Sequence, residues 1–421
     1  MQAHAENARK RLFERLEEGS VALLFSGQAP HKTLDQYYAY TPQRNFFYLT
    51  NIGEPNMILM LLKGNETEKT YLFVEENTEK IIQWEGARMS KEEASKRSGI
   101  PEEDIHYLDS FESRFNMAMN YARSPVGTPA RALYLDLYHP APKVKPQGLK
   151  HAEEFLSNYP ELTIKNVNEH ISYLRMFKSV REIDQIKTAI AHTKKGLETI
   201  LKHLRTREYE YQLQADFLHA ITLSGSEGEA FDTIAANGEN AAVLHYIKNN
   251  TPLDKNNMIL FDLGALHQNY AADISRTYPV GGQYGKRQRD IYDIVLKVNK
   301  ATIEKAVPGM TWKELNKFAR DMLAQEAKRI GLIQEDAEIL KYYYHSIGHF
   351  LGLDVHDVGY YDVPFKEGMV LTIEPGLYIK EEGIGVRIED DILITKDGNI
   401  NLSEDIEKEP DAIERMIKGS S

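Results

Sequence analysis

The chain has 421 residues, 42% hydrophobic and 27% charged, an ordinary balance for a soluble globular protein with one large or two smaller domains. Its 51 basic and 63 acidic residues leave a net charge of −12, which argues against a general nucleic-acid binder with a basic stripe. There is no cysteine, which excludes disulfides and thiolate metal ligands.

The first twenty residues, MQAHAENARKRLFERLEEGS, alternate charged and apolar positions at helical spacing and lack the apolar run of a signal peptide. No stretch reaches the roughly 18 consecutive apolar residues of a membrane span, so a cytoplasmic protein without a membrane partner is expected. Residues 21–27, 45–52, 57–62, 70–74 and 132–138 are rich in β-branched and aromatic types and bounded by turn formers, which predicts strands. Helical periodicity falls between them at 91–98, 110–122 and 147–158. Alternating strands and helices predict an α/β N-terminal domain.

Ser179, with Glu182 three residues on, forms a capping-box pattern that opens a long amphipathic helix. The boundary is placed just before it, giving domains over 1–172 and 173–421. That helix is predicted over 180–204, and further ones at 209–224, 285–306 and 312–330, the last capped by Thr311 and Glu314. Strands are predicted at 258–264, 271–280, 369–373 and 386–395. The order is helix, helix, strands, then helix, helix, strands. It is compatible with two similar halves, although the letters alone do not establish a duplication.

Four acids interrupt these apolar strands. Asp262 and Asp273 lie in FDLGALHQNYAADISRTY, and Glu374 and Glu389 in LTIEPGLYIKEEGIGVRIEDDILI. Residues facing each other across an antiparallel hairpin have position numbers with a constant sum. Asp262 therefore faces Asp273 if the turn centres between His267 and Gln268. Glu374 faces Glu389 if it centres between Glu381 and Glu382. Directly opposed Cβ atoms are about 4.5–5.5 Å apart, and paired metals in hydrolases about 3.5–4 Å apart. Each hairpin can thus offer a carboxylate pair of the right size. Most single acids are exposed charges near turns. Four buried together need about four compensating positive charges, which two divalent cations supply. Glu389 is preferred over Asp390 and Asp391 because it shares the face of Arg387 on a period-two strand.

Between the two acidic segments, HSIGHFLGLDVHD carries His345, His349 and His356. His345 and His349 share a face in either a helix or a strand. A lone histidine is more often structural than a ligand, but three so close together, flanked by glycines that permit close backbone approach, are harder to dismiss. No glutamate between His345 and His349 completes the zinc-protease helix motif. His245, in NAAVLHY, taken by itself is an ordinary loop or strand histidine.

The order Asp262, Asp273, His349, Glu374, Glu389 resembles the five-ligand pattern of the pita-bread metallopeptidases. HSIGHFLGLDVHDVG, EGMVLTIEPGLYI and GIGVRIEDD are most similar to the proline-specific, aminopeptidase P branch. FDTIAANGENAAVLHY and YTPQRNFFYLTNIGEPNMILML extend the resemblance over nearly the whole chain. It implies an α/β N-terminal domain followed by an α+β pita-bread catalytic domain with pseudo-twofold halves. It also implies two divalent metal ions, manganese first, with cobalt, zinc or iron as alternatives. Asp262 would chelate one metal, Asp273 and Glu389 would bridge both, and His349 and Glu374 would complete the other shell. Glu374 would also carry the proton in hydrolysis.

By the same resemblance His245 and His356 hold substrate carbonyls, His345 lines the pocket, and Tyr361 with Arg387 forms a pair behind the metals. Trp84 resembles a tryptophan that a neighbouring subunit inserts at the mouth of the site, which implies a homo-oligomer, a dimer or tetramer. Phe231 departs from the pattern, because some relatives carry tyrosine there. The implied activity releases the N-terminal residue from peptides with proline in second position. The alternatives are a prolidase restricted to Xaa-Pro dipeptides, a metal-free creatinase-like amidinohydrolase, and a non-catalytic binding module on the same scaffold.

Overall fold

Local sequence signals set most element boundaries in this chain, as seen in a computed structural model that describes residues 2–139 and 141–419. The chain divides into two compact units, residues 1–175 and 176–421. In the first, a six-stranded mixed sheet runs in the order Ile105–Tyr107, Glu68–Val74, Ile58–Lys63, Ser20–Phe25, Ala132–Leu135, Thr163–Asn166. The three strands at its centre, Glu68–Val74, Ile58–Lys63 and Ser20–Phe25, pair antiparallel, and parallel pairings extend it on both sides. One face buries Val21, Leu23, Met60, Phe73, Leu133 and Leu135 against Phe115 and Phe155. Each such side chain contributes roughly 1.5–3 kcal/mol when fully buried.

The segment expected as a strand over 45–52 is instead the helix Arg44–Thr50. Every residue from Asn45 to Thr50 is buried, so the run carries no amphipathic period by which helix and strand could be told apart. Asn51, in the left-handed region at φ 57°, stops the helix by donating its N–H to the Phe47 carbonyl.

In the second unit two helices precede a strand ladder, and the arrangement then repeats. Val180–His203 and Glu210–Leu223 lead to the three-stranded antiparallel sheet of Ile234–Asn237, Met258–Leu263 and Ile274–Pro279. Lys286–Lys305 and Trp312–Arg329 lead to Val370–Ile373, Asp390–Ile394 and Asn399–Asn401, with the hairpin Gly376–Ile379/Ile384–Arg387 beside them. Both expected capping boxes form. Ser179 Oγ accepts from Glu182 N at 3.4 Å while Glu182 Oε2 accepts from Ser179 N at 2.8 Å. At the other box the Thr311 and Glu314 distances are 3.3 and 2.9 Å. Each cap contributes about 1 kcal/mol. No helix among the described residues is long and apolar enough to cross a membrane.

Candidate active site

Two interrupted ladders carry the four acids of the second unit. In the first, Met258–Leu263 pairs with Ile274–Pro279 so that Asp262 faces Ser275, not Asp273. The expected register was off because the turn sits one residue later than predicted. Gln268 and Asn269, both at positive φ (47° and 65°), form a two-residue turn closing Leu266–His267 on Tyr270–Ala271. Asp273 lies in the break between these ladders, just before the strand begins. In the second, the expected register holds: Ile373 faces Asp390 and Gly376 faces Arg387. Glu374 and Glu389 stand opposite one another in the gap between the two pairings, where Pro375 follows Glu374.

The histidine segment crosses both. His349 N donates to Thr372 Oγ1 at 3.1 Å, and Thr372 N to the His349 carbonyl at 2.9 Å. This close approach requires a glycine before the histidine, since a Cβ on Gly348 would lie 2.0 Å from the Thr372 carbonyl oxygen. His349 Nδ1 is 3.0 Å from the Phe350 carbonyl, which accepts its proton and leaves Nε2 as a lone-pair donor. That Nε2 lies 3.4 Å from Asp273 Oδ2 and 3.7 Å from Glu374 Oε1. Ligand atoms of Asp273, His349 and Glu389 fall within 4.8 Å of one another, and all three residues are buried.

Arg387 holds the remaining corner. Its buried guanidinium donates to Asp262 Oδ2 at 2.7 Å, Ser275 Oγ at 2.7 Å and the Tyr378 hydroxyl at 3.0 Å. Ser275 in turn donates to Glu389 Oε2 at 2.8 Å. The tyrosine paired with Arg387 is therefore Tyr378, which corrects the expected pairing with Tyr361. Tyr361 is half exposed and packs at a tilt against Trp312 and edge-on against Phe350. Ser275 and Tyr378 were missed in the sequence. Ser275 was recoverable, since it lies two residues after Asp273 and so shares its side of the chain. Tyr378 has no such signal.

The Tyr378 hydroxyl lies 2.8 Å from His345 Nε2, and His345 Nδ1 donates to the Ser346 carbonyl at 2.7 Å. His345 is thus a neutral imidazole that accepts from the tyrosine. Burial, and then the charge of Arg387, push its pKa down to about 4. Its Nδ1 is 3.6 Å from Glu374 Oε2. The His356 ring lies 4.2 Å from that of His349. His245 sits in the exposed loop after Gly238–Ala242, and burial, then His349 and then His245, push the His356 pKa down to about 4. Phe231 lies against Gly264, beside the Asp262 strand, and brings no hydroxyl. Trp84 belongs to the N-terminal unit and is 80% exposed.

The donor set fits divalent cations. Burial, then the neighbouring Glu389, push the Asp273 and Glu374 carboxyls well above the usual range. Burial, then Asp262, push Glu389 up to about 7. Asp262 Oδ1 is buried without a hydrogen-bond donor. Such a cluster is unfavourable as bare charge and favourable around a cation. Oxygen donors with one imidazole suit hard to intermediate metals.

Residues 184–396 match the family model for metallopeptidase family M24, and residues 4–126 that for the aminopeptidase P N-terminal domain. The Xaa-Pro aminopeptidase of Haemophilus influenzae is 32% identical over 98% of this chain and 96% of its own length. Among solved structures, a candidate aminopeptidase P from Bacillus anthracis is 45% identical, covers 100% of this chain and 99% of its own, and superposes with a TM-score of 0.95. Aminopeptidase P from Escherichia coli gives 28% identity, the same coverage and a TM-score of 0.89. A family model spanning just over half the chain and relatives aligned end to end agree with the site's geometry: the chain belongs to metallopeptidase family M24, with an N-terminal domain of the aminopeptidase P type.

Proposed function

We propose that this chain is an Xaa-Pro aminopeptidase, hydrolysing the bond between an N-terminal residue and a proline in second position. The observation that carries the reading is the buried cluster of Asp273, His349 and Glu389, with Glu374 3.7 Å from the His349 ring and Asp262 held by Arg387, on a chain aligned end to end with Xaa-Pro aminopeptidases. The N-terminal domain match favours this over a prolidase, and the complete donor set favours it over a metal-free hydrolase or a binding module.

Those five residues would hold two divalent ions, with manganese as the expected metal. When bound, the ions acidify water and polarise a carbonyl oxygen. The protein's own groups do the rest. Glu374, in the break between two ladders, accepts the proton of the attacking water and passes it to the departing proline nitrogen. One bond forms, from water oxygen to carbonyl carbon, and the C–N bond breaks. His356 and His245 steady the carbonyl oxygens on either side of the scissile bond. His345, held neutral through Tyr378, lines the pocket beside Glu374. Arg387 orients Asp262 and, through Ser275, Glu389. Asp262 takes the free amino terminus, which limits cleavage to the first residue. The X-Pro bond has no N–H, so a site demanding that donor could not select it.

The exposed Leu34, Tyr37, Tyr38 and Trp84 side chains of the N-terminal unit support a homo-oligomer, and light scattering tests it. A cytoplasmic location is expected, and cell fractionation tests it. The activity is tested by incubating manganese-loaded protein with an Xaa-Pro-Xaa tripeptide and with the corresponding Xaa-Pro dipeptide. Release of the first residue from the tripeptide is expected. Cleavage of the dipeptide alone would make the protein a prolidase, and cleavage of neither would end the proline-peptidase reading.

A further inference from the structure

The His356 ring leans on His349 and makes no hydrogen bond to any described residue, so something else must hold it in place. The next residue is anchored. Asp357 Oδ2 lies 3.0 Å from Lys178 Nζ, and both side chains are only 1% exposed. A fully buried ion pair gains little net stability, because desolvation offsets most of the attraction. Its value lies in fixing geometry, and the surroundings indicate what is fixed. Asp357 N donates to the Phe350 carbonyl at 2.8 Å, closing the loop that begins directly after His349. Gly352 sits inside that loop, and a Cβ there would lie 2.3 Å from Asp357 Oδ2 and 3.0 Å from Lys178 Cε. The Gly352 carbonyl accepts from Ala271 N at 2.9 Å, two residues before Asp273.

Lys178 is itself pinned. Its N–H donates to the Gly368 carbonyl at 2.7 Å, and Gly368 N to the Ile394 carbonyl at 2.9 Å. Ile394 ends the strand that starts directly after Glu389. The ion pair thus links the strand following one carboxylate, the segment preceding another, and the loop bearing His356.

We propose that Lys178 and Asp357 are positioning residues that set the His356 imidazole against the substrate carbonyl. This deepens the reading above, in which His356 contacts substrate. A misplacement of about 1 Å costs on the order of 100-fold in rate.

The test is a double-mutant cycle on the manganese-loaded full-length protein with an Xaa-Pro-Xaa peptide, comparing Asp357→Asn, His356→Ala and the two combined. Asp357→Asn is expected to lower kcat by about 100-fold, with bound manganese per chain unchanged by mass spectrometry. Added to His356→Ala, it should cost less than about twofold more, because the group it positions is gone. Lys178→Met/Asp357→Leu removes both charges together and guards against simple unfolding. It should keep the melting temperature and still lose turnover. Losses that multiply across the cycle, or wild-type turnover in the double apolar variant, would overturn the proposal. Wild-type turnover in His356→Ala would remove the underlying role of His356 instead, while the activity of the unmodified protein tests the peptidase reading separately.

Discussion

The two carboxylate-bearing ladders are built on one plan and differ where it matters. In each, a regular antiparallel pairing is interrupted for two residues per strand, a single backbone hydrogen bond crosses the gap (Ala272 N to the Ala265 carbonyl, Ile388 N to the Pro375 carbonyl), and a short hairpin resumes beyond. Asp273 and Glu389 occupy equivalent places, each directly before the strand that leaves the break. Their partners do not match. Glu374 lies in its break, whereas Asp262 remains inside its ladder opposite Ser275 and is steered by Arg387 from the second ladder. A broken ladder frees side chains to turn inward. The first ladder supplies one freed acid, the second supplies two, and the arginine makes up the difference.

The largest expected effect of a substitution tests whether the freed acids act alike. Glu374→Ala should lower turnover by about 10²–10⁴-fold while the protein stays folded, the range for loss of a general base. Near-normal kcat would take Glu374 out of proton transfer. Metal removal should cost turnover at least as much and adds an effect on stability. Chelation should abolish activity and lower the melting temperature, with about 2.7 kcal/mol regained when manganese reaches 100 times its dissociation constant. Scanning calorimetry across a manganese titration reads this directly.

The same comparison predicts a change of sign in the cation-free protein. Glu389 is buried among Asp262, Asp273 and Glu374, so Glu389→Gln should raise the melting temperature of the cation-free protein and abolish the gain on adding manganese. A fall in the cation-free melting temperature would mean that the cluster is not mutually repulsive. A smaller effect falls on the bridge between ladders. Ser275→Ala removes the hydroxyl linking Arg387 to Glu389 and should cost about 1–3 kcal/mol of stability, seen in denaturant titration.

The smallest effect concerns the turn that shifted the first register. Gln268→Asn/Asn269→Gly installs the pair preferred where both turn residues take positive φ. It should leave kcat unchanged and alter stability by no more than about 1 kcal/mol.

Much of this was legible in the chain. Helices with a polar face and a capping box could be placed to within a residue or two, as at Val180–His203 and Trp312–Arg329. The second ladder's register followed from one turn and an alternating pattern. The first did not, because Gln268 is an uncommon residue at positive φ and composition placed the turn one residue too early. The Arg44–Thr50 helix was hidden because it is buried on all sides. Tyr378 was passed over for Tyr361 because nothing local distinguishes a tyrosine that reaches an arginine across a hairpin from one that packs against a tryptophan. Five donors spread over more than a hundred residues could be named from their flanks, but the hydrogen bonds that aim them depend on contacts no local pattern encodes.

The central claim is that these five side chains form one cation site. The most direct measurement is the metal content of manganese-loaded, desalted protein beside that of Asp273→Ala and Glu389→Ala. The account predicts about two manganese ions per chain for the unmodified protein and a marked loss in each variant. Equal retention in all three, or none in the unmodified protein, would contradict it.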